Sequence, residues 1–236
     1  MIIPDIFFKR LSEEIKREKE NEKNHNTNNI PVMWSMFCSS HFPEMVDLYG
    51  EEYETRYIEL EKQKKYMRQE KIMDVWKKIL KSLTQTGLPY MMSKDSVNMK
   101  SNHKNIGTIT STNLCCEVIE YHTASSPAMC NLASIALPMF MKSSENAQIL
   151  PSFDYKSFSE TVELTVDNLN QVIDRTFSTV QEALDNNFKY RPIAVGIQGL
   201  ADCFAIKQIP WESLDARVFN RLIFEHLYYF AVKAST

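Results

Sequence analysis

Glycine is scarce in this sequence. Five residues in 236 is about 2%, where about 7% is usual. Neither G-x-G-x-x-G nor G-x-x-x-x-G-K-[ST] occurs, so the two common phosphate-cradling glycine loops are excluded. There is no C-x-x-C pair. Five cysteines (Cys38, Cys115, Cys116, Cys130, Cys203) are an odd number and form no small disulfide framework. No excess of charge exists either. Twenty-seven basic against 30 acidic side chains leave −3, with pI near 6.0, which offers no electrostatic reason for a nucleic acid or an anionic membrane as partner. Met1-Ile2-Ile3 meets Pro4-Asp5 at once, without a basic leader. The longest fairly apolar stretch, Met129 to Met141, contains Asn131 and Ser134 and is too short to span a bilayer. A soluble protein of a reducing, cytoplasmic compartment is the expectation.

What is present is the material of a folded, helix-rich α/β protein. Apolar residues make up 44% and charged residues 24%, with 12 methionines, and methionine is as cheap in helices as glycine is costly. Ile3, Phe7, Leu11 and Ile15 recur at spacing four and predict a helix over Ile2–Glu18. Residues 19–29, rich in Asn, Lys and Glu, read as a mobile surface insertion. Helices are predicted over Glu51–Lys65 and Glu70–Thr86, the second stopped by Gly87 and Pro89. Tyr90–Ser93 reads as a short strand and Lys94–Asn105 as a short helix with a loop. Thr108–Tyr121 reads as extended chain, and Ala128–Met141 as a buried segment. A long helix follows over Phe153–Phe177, capped by Asp154. Ile193–Ile197 reads as a strand buried on both faces, with helices over Leu200–Ile206 and Leu214–Thr236 after it. Trp34, Trp76 and Trp211 are expected to anchor cores, Tyr228 and Tyr229 to pack, and Gly196 and Gly199 to permit close backbone approach. Helices alternating with short apolar strands point to α/β. The apolar last helix, without a stop signal, suggests a piece of a longer protein.

One short stretch concentrates chemistry. In Asn113-Leu114-Cys115-Cys116-Glu117, extended backbone would put Asn113, Cys115 and Glu117 on one face and Leu114 and Cys116 on the other. An amide, a thiol and a carboxyl would then lie within about 7 Å along the strand. A helix would separate Cys115 from the other two, so chemistry here requires extended or loop backbone. Several bland or rival readings exist. Each cysteine could be a small core residue. A Cys–His hydrolase could pair Cys115 with His103 or His122, though no such signature surrounds the cysteine. A zinc site from Cys115, Cys116, His122 and Cys130 lacks the usual ligand spacing.

The stretch Asn113-Leu114-Cys115-Cys116-Glu117-Val118-Ile119-Glu120-Tyr121, followed by Cys130-Asn131-Leu132-Ala133-Ser134, resembles the large (catalytic) subunit of class I ribonucleotide reductase. Gly87-Leu88-Pro89-Tyr90-Met91, Lys100-Ser101-Asn102 and Pro192-Ile193-Ala194-Val195-Gly196-Ile197-Gln198-Gly199-Leu200-Ala201-Asp202 extend the match. So do Ile3-Pro4-Asp5 and Glu225-His226-Leu227-Tyr228-Tyr229. The resemblance covers nearly the whole chain outside the Asn-rich insertion.

The resemblance implies part of a ten-stranded α/β barrel: residues 1–236 as a partial catalytic barrel domain, incomplete at both ends. It implies thiyl-radical reduction of ribonucleoside diphosphates to their 2′-deoxy forms. Cys115 resembles the radical cysteine that abstracts the 3′ hydrogen, Glu117 the base for the 3′-hydroxyl proton, and Asn113 the amide that holds the ribose. Leu114 and Cys116 complete the substrate-binding stretch. Cys130 resembles one member of the redox-active pair, its partner expected upstream of Met1. A dry pocket would suit Glu117 as a base. Cys116 stands where the family usually has Thr or Ser, and by alternation it is expected to face away from substrate. The radical would come from the metal cofactor of a separate small subunit and the electrons from a thioredoxin- or glutaredoxin-type reductant. ATP and deoxynucleotide effectors would bind outside this chain, and a large-subunit homodimer is implied. No metal is expected here, and the chain by itself is expected to be inactive. The alternative is a non-catalytic truncated subunit that binds and modulates an intact reductase.

Overall fold

The computed structural model describes residues 1–24, 30–143 and 150–236. The chain divides into two compact units, Met1–His122 and Thr123–Thr236.

The first unit opens with strand β1 (Ile2–Ile3) and helix α1 (Asp5–Asn24). The predicted helix thus starts three residues late, because the β-branched pair before Pro4 joins a ladder instead. It also runs six residues further, through Lys and Glu that favour helix, so residues 19–24 of the expected insertion are helical. Residues 25–29 of that insertion lie outside the described residues. Ile3, Phe7 and Leu11 are buried as their spacing predicts. Glu14 is buried as well, and its Oε2 accepts the Val32 amide at 2.8 Å.

Strand β2 (Met33–Met36) follows, then α2 (Glu44–Asp47), α3 (Gly50–Lys62), β3 (Arg68–Lys71), α4 (Ile72–Thr86), β4 (Met92–Ser93) and α5 (Lys94–Lys100). β1 pairs parallel with β4, and β2 antiparallel with β3. Glu70 and Lys71, expected to begin α4, belong to β3; its backbone pairs with β2 whatever its polar side chains. Gly87 ends α4 at φ +73°, as its C-cap position requires. Of the apolar residues of α4 only Ile72 is fully buried, and Leu80 is exposed. Tyr57 of α3 is 1% exposed. Its hydroxyl accepts the Ser35 amide at 2.7 Å and donates to the Ser35 carbonyl at 3.0 Å, so both buried groups are satisfied.

The start of α5 ties the unit together. Asp95, 3% exposed, accepts the backbone N–H groups of Asp5 and Gly50 and so holds the first turns of α1 and α3. Lys94 beside it is buried and donates to the carbonyls of Met45 and Val46, both at 2.9 Å. Its ammonium lies 4.7 Å from the centre of the Tyr53 ring.

The second unit begins with strand β5 (Asn131–Ala136) and a 3₁₀ turn, Leu137–Phe140. β6 (Met141–Lys142) and β7 (Ser152–Phe153) then form an antiparallel pair. Helices α6 (Tyr155–Arg175) and α7 (Gln181–Tyr190) lead to β8 (Ile193–Gln198), α8 (Leu200–Ile206) and α9 (Leu214–Ser235). Of the apolar residues at helical spacing in α6, Phe158, Val162, Val166, Leu169 and Ile173 are buried while Val172 is exposed, and Asp154 accepts the Ser157 amide at 3.2 Å. Asp154 also pairs with Lys142, and these partners hold its carboxyl well below the ordinary range. α7 was not foreseen, although Ala183, Leu184 and Phe188 keep helical spacing; the face it buries is Ala183, Asn186 and Asn187. Phe158, Phe153, Phe219, Ile223 and Cys203 make the core.

β5 and β8 run parallel from Asn131↔Ile193 to Ala136↔Gln198. β8 was expected to be buried on both faces. Among the described residues it has one neighbour, and none of its own residues is fully buried. Among the described residues the strands form four two-stranded ladders and no closed barrel, in a mixed, helix-rich α/β chain. Three aromatic expectations fail. Trp211 is 66% exposed although it meets Phe204 edge-on, and Tyr228 and Tyr229 are mostly exposed. Trp34 and Trp76 pack, half-buried, against the core around Phe7. Gly199 has φ +81°, and a Cβ there would lie 2.5 Å from Pro138 Cδ; Gly196 shows no such close approach.

Candidate active site

The chemistry-bearing stretch lies in the first unit, after α5. It is a loop rather than the extended strand its composition suggested. The backbone turns at Asn113–Cys116, with the Cys116 amide donating to the Asn113 carbonyl at 3.2 Å. Cys116 adopts φ +65°, a left-handed conformation that side chains other than glycine rarely take. Strict alternation of faces therefore ends at Cys116.

The turn achieves part of what alternation was expected to do. Asn113 Nδ2 donates to Glu117 Oε1 at 2.6 Å, and Asn113 Oδ1 accepts the Val118 amide at 3.1 Å. The amide and the carboxylate are thus in direct contact, and the Asn113 side chain is fixed at both ends. The Thr112 hydroxyl closes a further rung by donating to the Val118 carbonyl. Cys115 sits at the tip between them and is exposed. Glu117 is exposed too, so the dry pocket expected around it is not formed by the residues of this loop.

A cleft of about 450 Å³ adjoins the loop. Thr112, Asn113, Leu114 and Cys116 line one side, and Pro89 and Tyr90 the other. Cys116 had been expected to face away; its left-handed backbone turns it to the cleft beside Asn113 and Leu114. The Leu88–Pro89 peptide of that wall is cis. Leu114 is 87% exposed.

The base of the loop is held by residues that sequence reasoning did not assign to the site. Ser111 Oγ meets His122 Nε2 at 2.9 Å, and His122 Nδ1 faces the Glu120 carbonyl at 3.4 Å. His103 Nδ1 accepts the Tyr121 amide at 3.0 Å, and burial pulls its imidazole below the ordinary value. The two rings weighed above as partners for a cysteine nucleophile are thus engaged with Ser111 and with Tyr121. No periodic signal marks these positions. Only the polar run Ser111-Thr112-Asn113 hints at them.

Cys130 lies in the second unit, half-buried, at the entrance to β5. The next residue, Asn131, is buried. Its Nδ2 donates to Asn187 Oδ1 at 2.8 Å and to the Pro192 carbonyl at 3.0 Å, which fixes the start of β5 against β8. Cys203, offered no role by the sequence, is fully buried in the core, and desolvation pushes its thiol up to about 11. Among the described residues no three His, Cys, Asp or Glu side chains converge to hold a metal ion. None of the described helices is long and apolar enough to cross a membrane.

Comparison with known proteins bears on this loop directly, because the match runs through it. The ribonucleotide reductase barrel domain family matches residues 1–236. The chain belongs to the ribonucleotide reductase large-subunit family. It is 39% identical over 233 residues to the ribonucleoside-diphosphate reductase large chain 2 of Saccharomyces cerevisiae, covering 99% of this chain and 25% of that one. It is 42% identical over 247 residues to the large subunit of Arabidopsis thaliana, covering 99% of this chain and 28% of the other. The Danio rerio large subunit matches at 39% over 233 residues, with 99% and 26% covered. The chain thus spans about a quarter of the length of these reductase relatives.

Proposed function

We propose that this chain carries the substrate-side half of the radical chemistry of a ribonucleoside-diphosphate reductase large subunit. Asn113, Leu114, Cys115, Cys116 and Glu117 form the face that meets the ribose, and Cys130 is one of two redox-active cysteines. The observation that carries the reading is the contact between Asn113 and Glu117 at 2.6 Å, across a turn that presents Cys115 at its tip.

The chemistry follows from what the three groups can do. A Cys115 thiyl radical takes the 3′ hydrogen of the nucleotide as S–H forms and C–H breaks. The two bonds are close in strength, so the step is nearly balanced and reversible. The Glu117 carboxylate accepts the 3′-hydroxyl proton, and Asn113 donates to the ribose while keeping that carboxylate in place. The 2′ hydroxyl then leaves as water with a proton from the thiol pair that includes Cys130. That pair becomes a disulfide and supplies two electrons, and Cys115 returns its hydrogen to C3′. The net change is diphosphate plus dithiol to deoxydiphosphate, disulfide and water. The radical comes from a separate small subunit, and an external dithiol protein reduces the disulfide. A ten-stranded barrel completed by further strands and a large-subunit dimer belong to the same proposal.

The test is turnover of a ribonucleoside diphosphate by the full native polypeptide, with small subunit and dithiol reductant present. Asn113→Ala, Glu117→Gln and Cys130→Ser are each expected to remove deoxynucleotide formation. Turnover in Cys130→Ser at the unmodified rate would remove Cys130 from the redox pair.

A further inference from the structure

The loop that carries Cys115 is closed without a β-ladder. Apart from the turn itself, its rungs are made by side chains: Thr112 to Val118, Asn113 to Glu117 and Val118, and Ser111 to His122. The last of these spans the base. Beside it, the Tyr121 amide is bonded to His103 Nδ1. The Tyr121 ring covers Gly107 so closely that a Cβ there would lie 2.1 Å from its Cε2. Two imidazoles, His103 and His122, therefore bond the chain on either side of the Cys115 turn, at Tyr121 and at Ser111.

We infer that His103 and His122 are positioning residues for the Cys115 loop, each acting through one ring nitrogen. His103 acts as an acceptor at Nδ1, for the Tyr121 amide. His122 acts at Nε2, on the Ser111 hydroxyl. The inference rests on the reading of Cys115 as the reacting thiol, but its geometry does not require turnover to be examined.

Ring-nitrogen roles can be separated by substitution. The Asn side chain places its oxygen near the position of a histidine Nδ1, and the Gln side chain places a polar terminus near that of Nε2. Gly107 supplies an independent check, since any side chain there must displace Tyr121.

The experiment is millisecond hydrogen exchange on the full native polypeptide, read at the Cys116 and Val118 amides, both bonded to Asn113. His103→Ala and His122→Ala are expected to speed exchange there about fivefold, the loss of one exposed hydrogen bond. His103→Asn and His122→Gln are expected to restore the original rate, and Gly107→Ala to behave like the alanine variants. Amides of α1 and α3 and the alkylation rate of Cys38 serve as internal references that should not move. Unchanged exchange in the alanine variants overturns the inference. Asn and Gln variants that exchange as fast as alanine overturn it equally. If the alanine variants also lose protection in α1 and α3, the Asn and Gln pair decides by itself. Failure of the positioning role leaves the Cys130→Ser turnover result untouched, so the two readings fail separately.

Discussion

Asn113 shows how much one side chain can organise. Its carbonyl closes a turn, its Oδ1 takes the Val118 amide, and its Nδ2 reaches Glu117. An aspartate would keep the acceptor but set a second negative charge against Glu117. Lys94 is the other residue whose environment dictates behaviour. Burial pulls its ammonium down from 10.5 to about 8, against the pull of Asp95 and Asp47. Below the lowered value the charged ammonium serves the Met45 and Val46 carbonyls. Between about 8 and 10.5 the unfolded chain holds a proton that the folded chain has released. Stability from this site therefore rises with pH across that window. Urea unfolding of wild type and Lys94→Met is expected to show a gap in favour of wild type that widens from pH 8 upwards. A gap independent of pH contradicts the burial account.

At the scale of elements, two glycines with left-handed backbones differ in what surrounds them. Gly87 meets nothing within 4 Å, while a Cβ on Gly199 would strike Pro138. Gly87→Ala is expected to cost about 1 kcal/mol from backbone conformation, and Gly199→Ala about 2–4 kcal/mol once overpacking is added. Thermal unfolding of the two variants checks the order, and equal costs would contradict the contact with Pro138. These elements were legible in the sequence to different degrees. α6, α8 and α9 have a stripe, a cap or a glycine at one end, and all three stand within two residues of their predicted bounds. β3 was hidden because Arg68–Lys71 pairs by backbone and exposes polar side chains. α7 was hidden because the face it buries, Ala183, Asn186 and Asn187, is largely polar. The loop at 108–121 was misread as extended because Thr, Val and Ile favour strands, whereas a left-handed Cys116 and side-chain rungs decide its path. The grouping of Asn113 with Glu117 was readable from spacing, and the structure brings those two side chains into contact. The supporting pair of histidines was not, since each binds through a fold contact that no local pattern encodes.

At the scale of the molecule, two compact units hold different parts of the proposed chemistry: the Cys115 loop in the first and Cys130 in the second. The first has buried clusters around Phe7 and around Tyr57 and Leu60, and the second one around Phe158, Val162 and Ile223. Every described strand pairs in a ladder of two, and parallel pairs such as β5–β8 are normally covered on both faces. Leu132 is 58% exposed on that pair, so among the described residues this face lacks such a cover. The central claim is that the Cys115 sulfur removes the 3′ hydrogen of a ribonucleoside diphosphate. Turnover of a 3′-deuterated diphosphate by the full native polypeptide, with small subunit and dithiol reductant, tests it most directly. The account predicts slower turnover of the deuterated than of the unlabelled substrate, and no deoxynucleotide from Cys115→Ser. Deoxynucleotide formation by Cys115→Ser would contradict it.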